Sequence, residues 1–270
     1  MTLNDKYKKL QQLLSKLDTA AVAFSGGVDS TLLLKVVTDT IGSDKVLAIT
    51  ATSPIFPAFE IDQCRLLTQQ LEVTHHLVAT DELSLSEFIH NIPQRCYHCK
   101  HHLFSQLIDH AAAQDISVIL EGSNLDDLSD YRPGQRALTE LGILSPLLEA
   151  QLTKQDIRQL SQQFNLPTWN KQSFACLATR FPYGTEITQE RLTQVGLCED
   201  WLREQGFTNY RVRYHNDIAR IEIAPEQMNK LLDEQLRQQL ITAFKKNGFD
   251  YITLDLQGYR SGSMNETLPK

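Results

Sequence analysis

Four groups of residues in this chain of 270 have types and spacings from which chemistry can be built. Cys96-Tyr97-His98-Cys99 sets two thiols three residues apart, between Arg95 and Lys100. Thiolates at this spacing share a metal, form a redox dithiol or pack as small core residues. A four-cysteine zinc site needs a second such pair, and there is none: of five cysteines, Cys64, Cys176 and Cys198 stand singly. Cys176 lies in Lys171-Gln172-Ser173-Phe174-Ala175-Cys176-Leu177-Ala178-Thr179-Arg180, where Lys171 and Arg180 would favour the thiolate, the form that attacks carbon or binds metal. Burial is equally open to it, but three cysteines could also ligate three irons of a four-iron cluster and leave the fourth open. Arg211 and Arg213 share one face of a strand, and Arg220 follows on the returning strand. Guanidinium forks grip phosphate oxygens in pairs, and Glu222 would orient one fork or hold a metal. The competing reading is a solvated polar face whose arginines pair with Glu222 and Asp217.

The fourth group is a loop. Ala21-Val22-Ala23-Phe24 reads as a buried strand, Ser25-Gly26-Gly27-Val28-Asp29-Ser30 as a glycine turn, and the residues from Thr31 as a helix start. Glycines permit close backbone approach and positive φ, and the free N–H groups of a helix start favour an anion. The loop lacks the lysine of the Walker pattern and the spaced glycines of the dinucleotide fingerprint. Its Ser-Gly-Gly-x-Asp-Ser pattern resembles the PP-loop of ATP pyrophosphatases, which implies that it holds the β- and γ-phosphates of ATP while the nucleotide is cleaved at the α-phosphate. The plainer alternative is a turn whose serines cap the helix.

Such groups need elements to position them. Short apolar runs at 20–24, 46–50, 76–79 and 118–120 alternate with helical patterns, the signature of a parallel sheet covered on both faces. Ligands bind beyond the carboxyl ends of such strands, where the loops 25–30, 51–53 and 121–124 fall. Thr153-Lys154-Gln155-Asp156 has the form of a capping box for a helix over 154–164. Cys96 and Cys99 open another helix. Cys64 and Cys198 lie at helical spacing and read as packing, and His98, His101 and His102 as helix surface. Asp126, Asp127 and Asp130, before Tyr131-Arg132-Pro133-Gly134, either hold Mg²⁺ or form a solvated turn. From about residue 186 the order changes to a helix over 188–205, a hairpin turning at His215-Asn216-Asp217, a helix over 226–247 and a strand over 251–256. The predicted division is therefore 1–185, an α/β parallel-sheet domain, and 186–270, a smaller α+β domain with a polar tail from Arg260.

Bulk properties narrow the classes. The chain is 41% hydrophobic and 22% charged with a net charge of −7, which argues against a broad grip on nucleic acid. No apolar run approaches a membrane span, and MTLNDKYKKLQQLLSKLD reads as an amphipathic helix rather than a signal peptide. We therefore expect a cytosolic protein that binds neither membrane nor nucleic acid, with thiols that are reduced rather than disulfide-bonded.

Together, the Ser-Gly-Gly-x-Asp-Ser loop, Asp130-Tyr131-Arg132-Pro133-Gly134, the stretch 176–184, Arg211-Val212-Arg213-Tyr214-His215-Asn216-Asp217-Ile218-Ala219-Arg220-Ile221-Glu222 and Gly258-Tyr259-Arg260-Ser261-Gly262 resemble the LarE family over nearly the whole chain. These are ATP-dependent synthases of the pyridinium dithiocarboxylate mononucleotide that precedes the nickel-pincer cofactor. The resemblance implies an adenine-nucleotide α-hydrolase-like (PP-loop, HUP-type) domain, and ATP with Mg²⁺ held by Ala23, Ser25, Gly26, Gly27, Asp29, Ser30, Ser53, Gly122 and Arg132. It implies adenylation of a ring carboxylate and then displacement of AMP by sulfur. Arg211 and Arg213 match substrate-phosphate ligands, with Thr179 and Arg180 at neighbouring positions, and Glu199 and Glu222 match acidic positions of the substrate or divalent-metal site. Cys176 matches the sulfur-donor position, where the family splits. In some members this cysteine is sacrificed and becomes dehydroalanine. Others add a Cys-x-x-Cys and resemble cluster enzymes, and Cys96 and Cys99 place this chain with them: Cys96, Cys99 and Cys176 are expected to hold a 4Fe–4S cluster that carries sulfide. A homo-oligomer, hexameric by resemblance, and a sulfide source or sulfur-donor protein are further implications. Amidation or tRNA thiolation by a PP-loop relative, or a regulator that binds nucleotide without turnover, are the alternatives.

Overall fold

The computed structural model describes residues 1–129, 133–172, 175–260 and 262–264. In chain order they form α1 (Leu3–Leu14), β1 (Ala20–Ala23), α2 (Val28–Ile41), β2 (Val46–Thr52), α3 (Ala58–Gln70), β3 (Thr74–Ala79), α4 (Ser86–Ile89), α5 (Arg95–Ala112), β4 (Ile119–Leu120), α6 (Gly134–Glu140), α7 (Pro146–Glu149), α8 (Lys154–Gln163), α9 (Gln189–Glu204), β5 (Arg211–His215), β6 (Ile218–Glu222), α10 (Glu234–Lys246) and β7 (Tyr251–Leu254). Contacts divide the chain into two units, Met1–Leu85 with Gln94–Phe174, and Ser86–Pro93 with Ala175–Lys270.

In the first unit, four parallel strands lie in the order β3-β2-β1-β4. Strand residues alternate between faces, so Ala20, Val22, Val46 and Ala48 enter one core while Ala21, Leu47 and Ile49 enter another. The first core takes Leu10 and Leu14 of α1, Leu32, Leu33, Val36 and Val37 of α2, and Ile157 and Leu160 of α8. The second takes Phe104, Leu107 and Ala111 of α5 and Leu138 of α6. Each fully buried leucine among them contributes about 2 kcal/mol. A bridge from Leu120 to Leu144 extends the sheet past β4. The chain runs outward from β1 to β2 and β3, then returns to the other side of β1, so the sheet's switch point lies between β1 and β4. That crevice is where an open α/β sheet binds its ligand.

The second unit is a three-stranded sheet in the order β5-β6-β7, with β5 antiparallel to β6 and β7 parallel to it. The hairpin turns at Asn216-Asp217, where Asn216 has φ of 57°. Leu192, Val195 and Leu202 of α9, Val212, Ala219 and Ile221 of the strands, and Leu240 and Phe244 of α10 are buried. Two expectations change here. The single helix predicted over 226–247 is two pieces, a 3-10 stretch Pro225–Leu232 and α10, because Asp233 leaves the helical path and its side chain caps Leu236 N–H. The second unit also begins at residue 175 rather than 186 and includes 86–93. The buried Asn91 donates from Nδ2 to the carbonyls of Phe181 (3.3 Å) and Pro182 (2.7 Å), Gly184 N–H donates to Asn91 O, and Ile187 N–H to Ile89 O. Among the described residues, no helix is long and apolar enough to cross a membrane.

Candidate functional site

The glycine loop leaves β1 at the switch point. Gly26 turns the chain with φ of +64°, and a Cβ there would sit 2.9 Å from Cys64 Sγ, so both conformation and space favour glycine. Gly27 is the N-cap of α2 and no side chain caps it, which leaves the helix's first N–H groups facing the crevice. Ser25 and Ser30 meet Oγ to Oγ at 3.2 Å across the turn, and Ser30 Oγ donates to Gly27 O. The serines therefore brace the loop without occupying α2's N-cap. Gly122, beyond β4, lies against the start of α2: a Cβ on it would be 3.1 Å from Ser30 N. Ala23 ends β1 and Ser53 follows β2, so the expected ATP residues of the first unit gather at carboxyl ends of strands. Arg132 and Asp130 lie outside the described residues.

Charge around the loop is arranged by two lysines that carry other readings in the sequence. Lys171 Nζ donates to Gly26 O (2.9 Å), Glu60 Oε2 (2.6 Å) and Gln63 Oε1 (2.6 Å). Lys154, the first residue of α8, places Nζ 2.5 Å from Asp29 Oδ2, and Asn124 Nδ2 donates to Asp29 Oδ1 at 3.2 Å. Asp29 is a hard oxygen donor at a helix start, which fits Mg²⁺ carried in with a nucleotide. Asp126 accepts from Lys154 N–H and Asp127 from Asn124 N–H. The Cys64 thiol, behind the loop, is pushed up to about 11 by burial, as suits packing.

At the N-terminus of α5, Cys96 and Cys99 stand one turn apart, and Arg95 Nη2 donates to Cys96 Sγ at 3.6 Å. The spacing suits two sulfur ligands of one metal centre. Cys176 belongs to the second unit. Among the described residues, no group of three or more His, Cys, Asp or Glu is placed to hold a metal ion.

Cys176 precedes a short 3-10 turn, Leu177–Arg180, and its carbonyl accepts from Thr179 Oγ1 (2.9 Å) and Arg180 Nη1 (3.1 Å). Arg180 is fully buried and clasps Glu199 through Nε (2.9 Å) and Nη2 (2.8 Å). Burial would raise the Glu199 carboxyl, but Arg180, Arg211 and Val212 N–H together hold it below the usual carboxylate range. Arg213 donates to Thr179 O (3.0 Å), Glu222 Oε2 (2.7 Å) and Ser263 Oγ (2.9 Å), and Ser263 Oγ donates on to Glu222 Oε1. Arg220 pairs with Glu222 and Asp255. Arg211, beside the Tyr259 ring, is pushed down to about 10 by burial and by Arg180. Arg180, Arg211 and Arg213 are thus interior, not a solvated face, and with the half-buried Arg220 and Arg260 they meet the carboxylates of Glu199, Glu222 and Asp255, which leaves positive charge in excess. An arriving phosphate would relieve it.

The chain aligns with an uncharacterised protein of Synechocystis sp. at 43% identity, over 99% of this chain and 100% of that one. It is 41% identical to the pyridinium-3,5-bisthiocarboxylic acid mononucleotide synthase of Lactiplantibacillus plantarum, over 100% of this chain and 97% of the relative. The chain belongs to the LarE family. An uncharacterised protein of Methanocaldococcus jannaschii is 31% identical over 89% of this chain and 90% of its own length. No protein-family model matches. In this LarE-family chain, Lys154 and Ser263 are not foretold by the sequence, and Asn124 is so only as the end of the loop 121–124. A lysine at a helix start and a serine near the end of the chain carry no spacing signal; their partners lie 125 and 50 residues away.

Proposed function

We propose that this chain is an ATP-dependent sulfurtransferase of nickel-pincer cofactor biosynthesis, acting on pyridinium-3,5-biscarboxylic acid mononucleotide. The observation that carries the reading is the uncapped start of α2 behind Gly26-Gly27 at the β1/β4 crevice, a cradle for a polyphosphate. A substrate carboxylate oxygen attacks the α-phosphorus, the bond to the bridging oxygen breaks, and pyrophosphate leaves with the electron pair. The loop N–H groups and Asp29 with Mg²⁺ stabilise the charge that develops. A sulfur nucleophile then adds to the acyl carbon and AMP departs, leaving a thiocarboxylate. Arg211 and Arg213 hold the substrate's phosphate, Thr179 and Arg180 fix the backbone at Cys176, and Glu199 and Glu222 orient the arginines or hold a divalent metal.

Cys96, Cys99 and Cys176 would hold a 4Fe–4S cluster, which supplies an open iron to carry sulfide. Arg95 Nη2 donates to Cys96 Sγ, and Arg180 holds the backbone of Cys176. Anaerobically prepared protein is expected to contain iron and sulfide and to release pyrophosphate only with the mononucleotide present. Dehydroalanine at Cys176 in step with product, without iron, would replace the carrier by sacrificial donation. Pyrophosphate release that ignores the mononucleotide would sink the substrate assignment.

A further inference from the structure

We propose that Lys154 is a phosphate-handling residue that exchanges partners, leaving Asp29 for the β- and γ-phosphates when ATP enters and neutralising pyrophosphate as it departs. The inference rests on the nucleotide reading of the loop above. Asp29 occupies the first turn of α2, at the same helix start that would receive the triphosphate. Two anionic groups cannot share that position without cations. Lys171 has no freedom to serve, because Gly26 O, Glu60 and Gln63 take all three of its donors within 2.9 Å. Lys154 differs. Among the described residues its Nζ contacts Asp29 alone, and its side chain is 31% exposed.

The backbone beneath Lys154 is fixed while the side chain is not. Thr153 and Asp156 form a capping box, Lys6 reaches Asp156 at 2.6 Å, and Lys154 N–H donates to Asp126 Oδ2 at 2.9 Å. Only the four-carbon stem has to swing to carry the ammonium from Asp29 to a neighbouring phosphate. In the observed pair the ammonium screens Asp29. When MgATP binds, the Asp29 carboxylate would be released to the metal that the nucleotide brings, and the lysine moves to the phosphate oxygens. As the bond from the α-phosphorus to the bridging oxygen breaks, the leaving pyrophosphate takes the electron pair, and the Lys154 N–H groups donate to it. No proton need change hands.

Full-length protein with Lys154→Met is compared with wild type by calorimetry, using α,β-methylene-ATP with Mg²⁺, AMP and inorganic pyrophosphate as probes. The expected result is a loss of about tenfold or more for the methylene analogue and pyrophosphate, with AMP unchanged and Lys154→Arg close to wild type. Asp29→Asn provides a second measurement that a merely structural lysine would not move. It should strengthen metal-free pyrophosphate binding several-fold, about what release of one charge partner contributes, and only while Lys154 is present. Equal losses for AMP and the methylene analogue, or no loss at all, would overturn the assignment of Lys154 while leaving the nucleotide site intact. Wild-type protein that binds none of the three probes would overturn both.

Discussion

Glu199 shows how much of the second unit depends on a single carboxylate. It receives two bonds from Arg180 and one from Val212 N–H, and it faces Arg211 as well, all in the interior. Glu199→Gln keeps the shape and removes the charge, leaving like-charged guanidinium groups buried together. Equilibrium urea unfolding should report a loss of about 3–5 kcal/mol, the cost of stranding a buried ion. An unchanged midpoint would mean that the arginines have other compensation. Gly26 is a test of a different kind. Gly26→Ala adds a methyl at φ of +64° against the Cys64 thiol, so it should cost about 1–2 kcal/mol and weaken triphosphate binding, with AMP affected less. What was legible at this scale followed from local spacing: the glycines of the loop, the arginines on one strand face, and Glu222 as their partner. Asp29 with Lys154 was not legible, because the pair closes over 125 residues and neither residue belongs to a motif with the other.

The start of α8 carries more than its own helix. Thr153 and Asp156 cap it reciprocally, and the same Asp156 carboxylate binds Lys6 of α1. Asp156→Asn should therefore destabilise by about 1–2 kcal/mol near neutral pH, the range of a lost cap plus a partly exposed pair. Although burial opposes ionisation, the bonds from Lys6 and Thr153 hold Asp156 below its ordinary 3.8. A depressed native value gives stability that is present in full above 3.8 and is lost as pH falls through the lower native value. Thermal melts of wild type and variant should thus differ at pH 6 and converge as the pH falls well below 3.8; a gap that stays constant into acid would exclude the charge as its source. The capping box itself was visible in Thr-x-x-Asp. The break in the predicted helix over 226–247 was not, since helical spacing runs through Leu231 and Leu232, and only the geometry at Asp233 shows that a new helix begins there.

At the scale of the molecule, the alternation of short apolar strands and helices foretold the parallel sheet and the smaller α+β unit, because both arise from periodicities a few residues long. Ownership of 86–93 was hidden, since it depends on pairing with 181–187. Asn91, fully buried with φ of 51° and bonded to two carbonyls, should report on that pairing. Asn91→Ala is expected to cost about 1–3 kcal/mol by denaturant titration and to raise amide exchange at Gly184 and Ile187 before exchange in β1. Equal acceleration in both places would instead mark one cooperative block. The bond from Ser263 to Glu222 and Arg213 has a consequence in time. A chain emerging from the ribosome presents all of its first unit by residue 174, whereas the loop 86–93 must wait for 181–187 and the arginine hairpin for Ser263. During synthesis the first unit is therefore complete before the hydrogen bonds around Glu222, which close only once Ser263 has emerged.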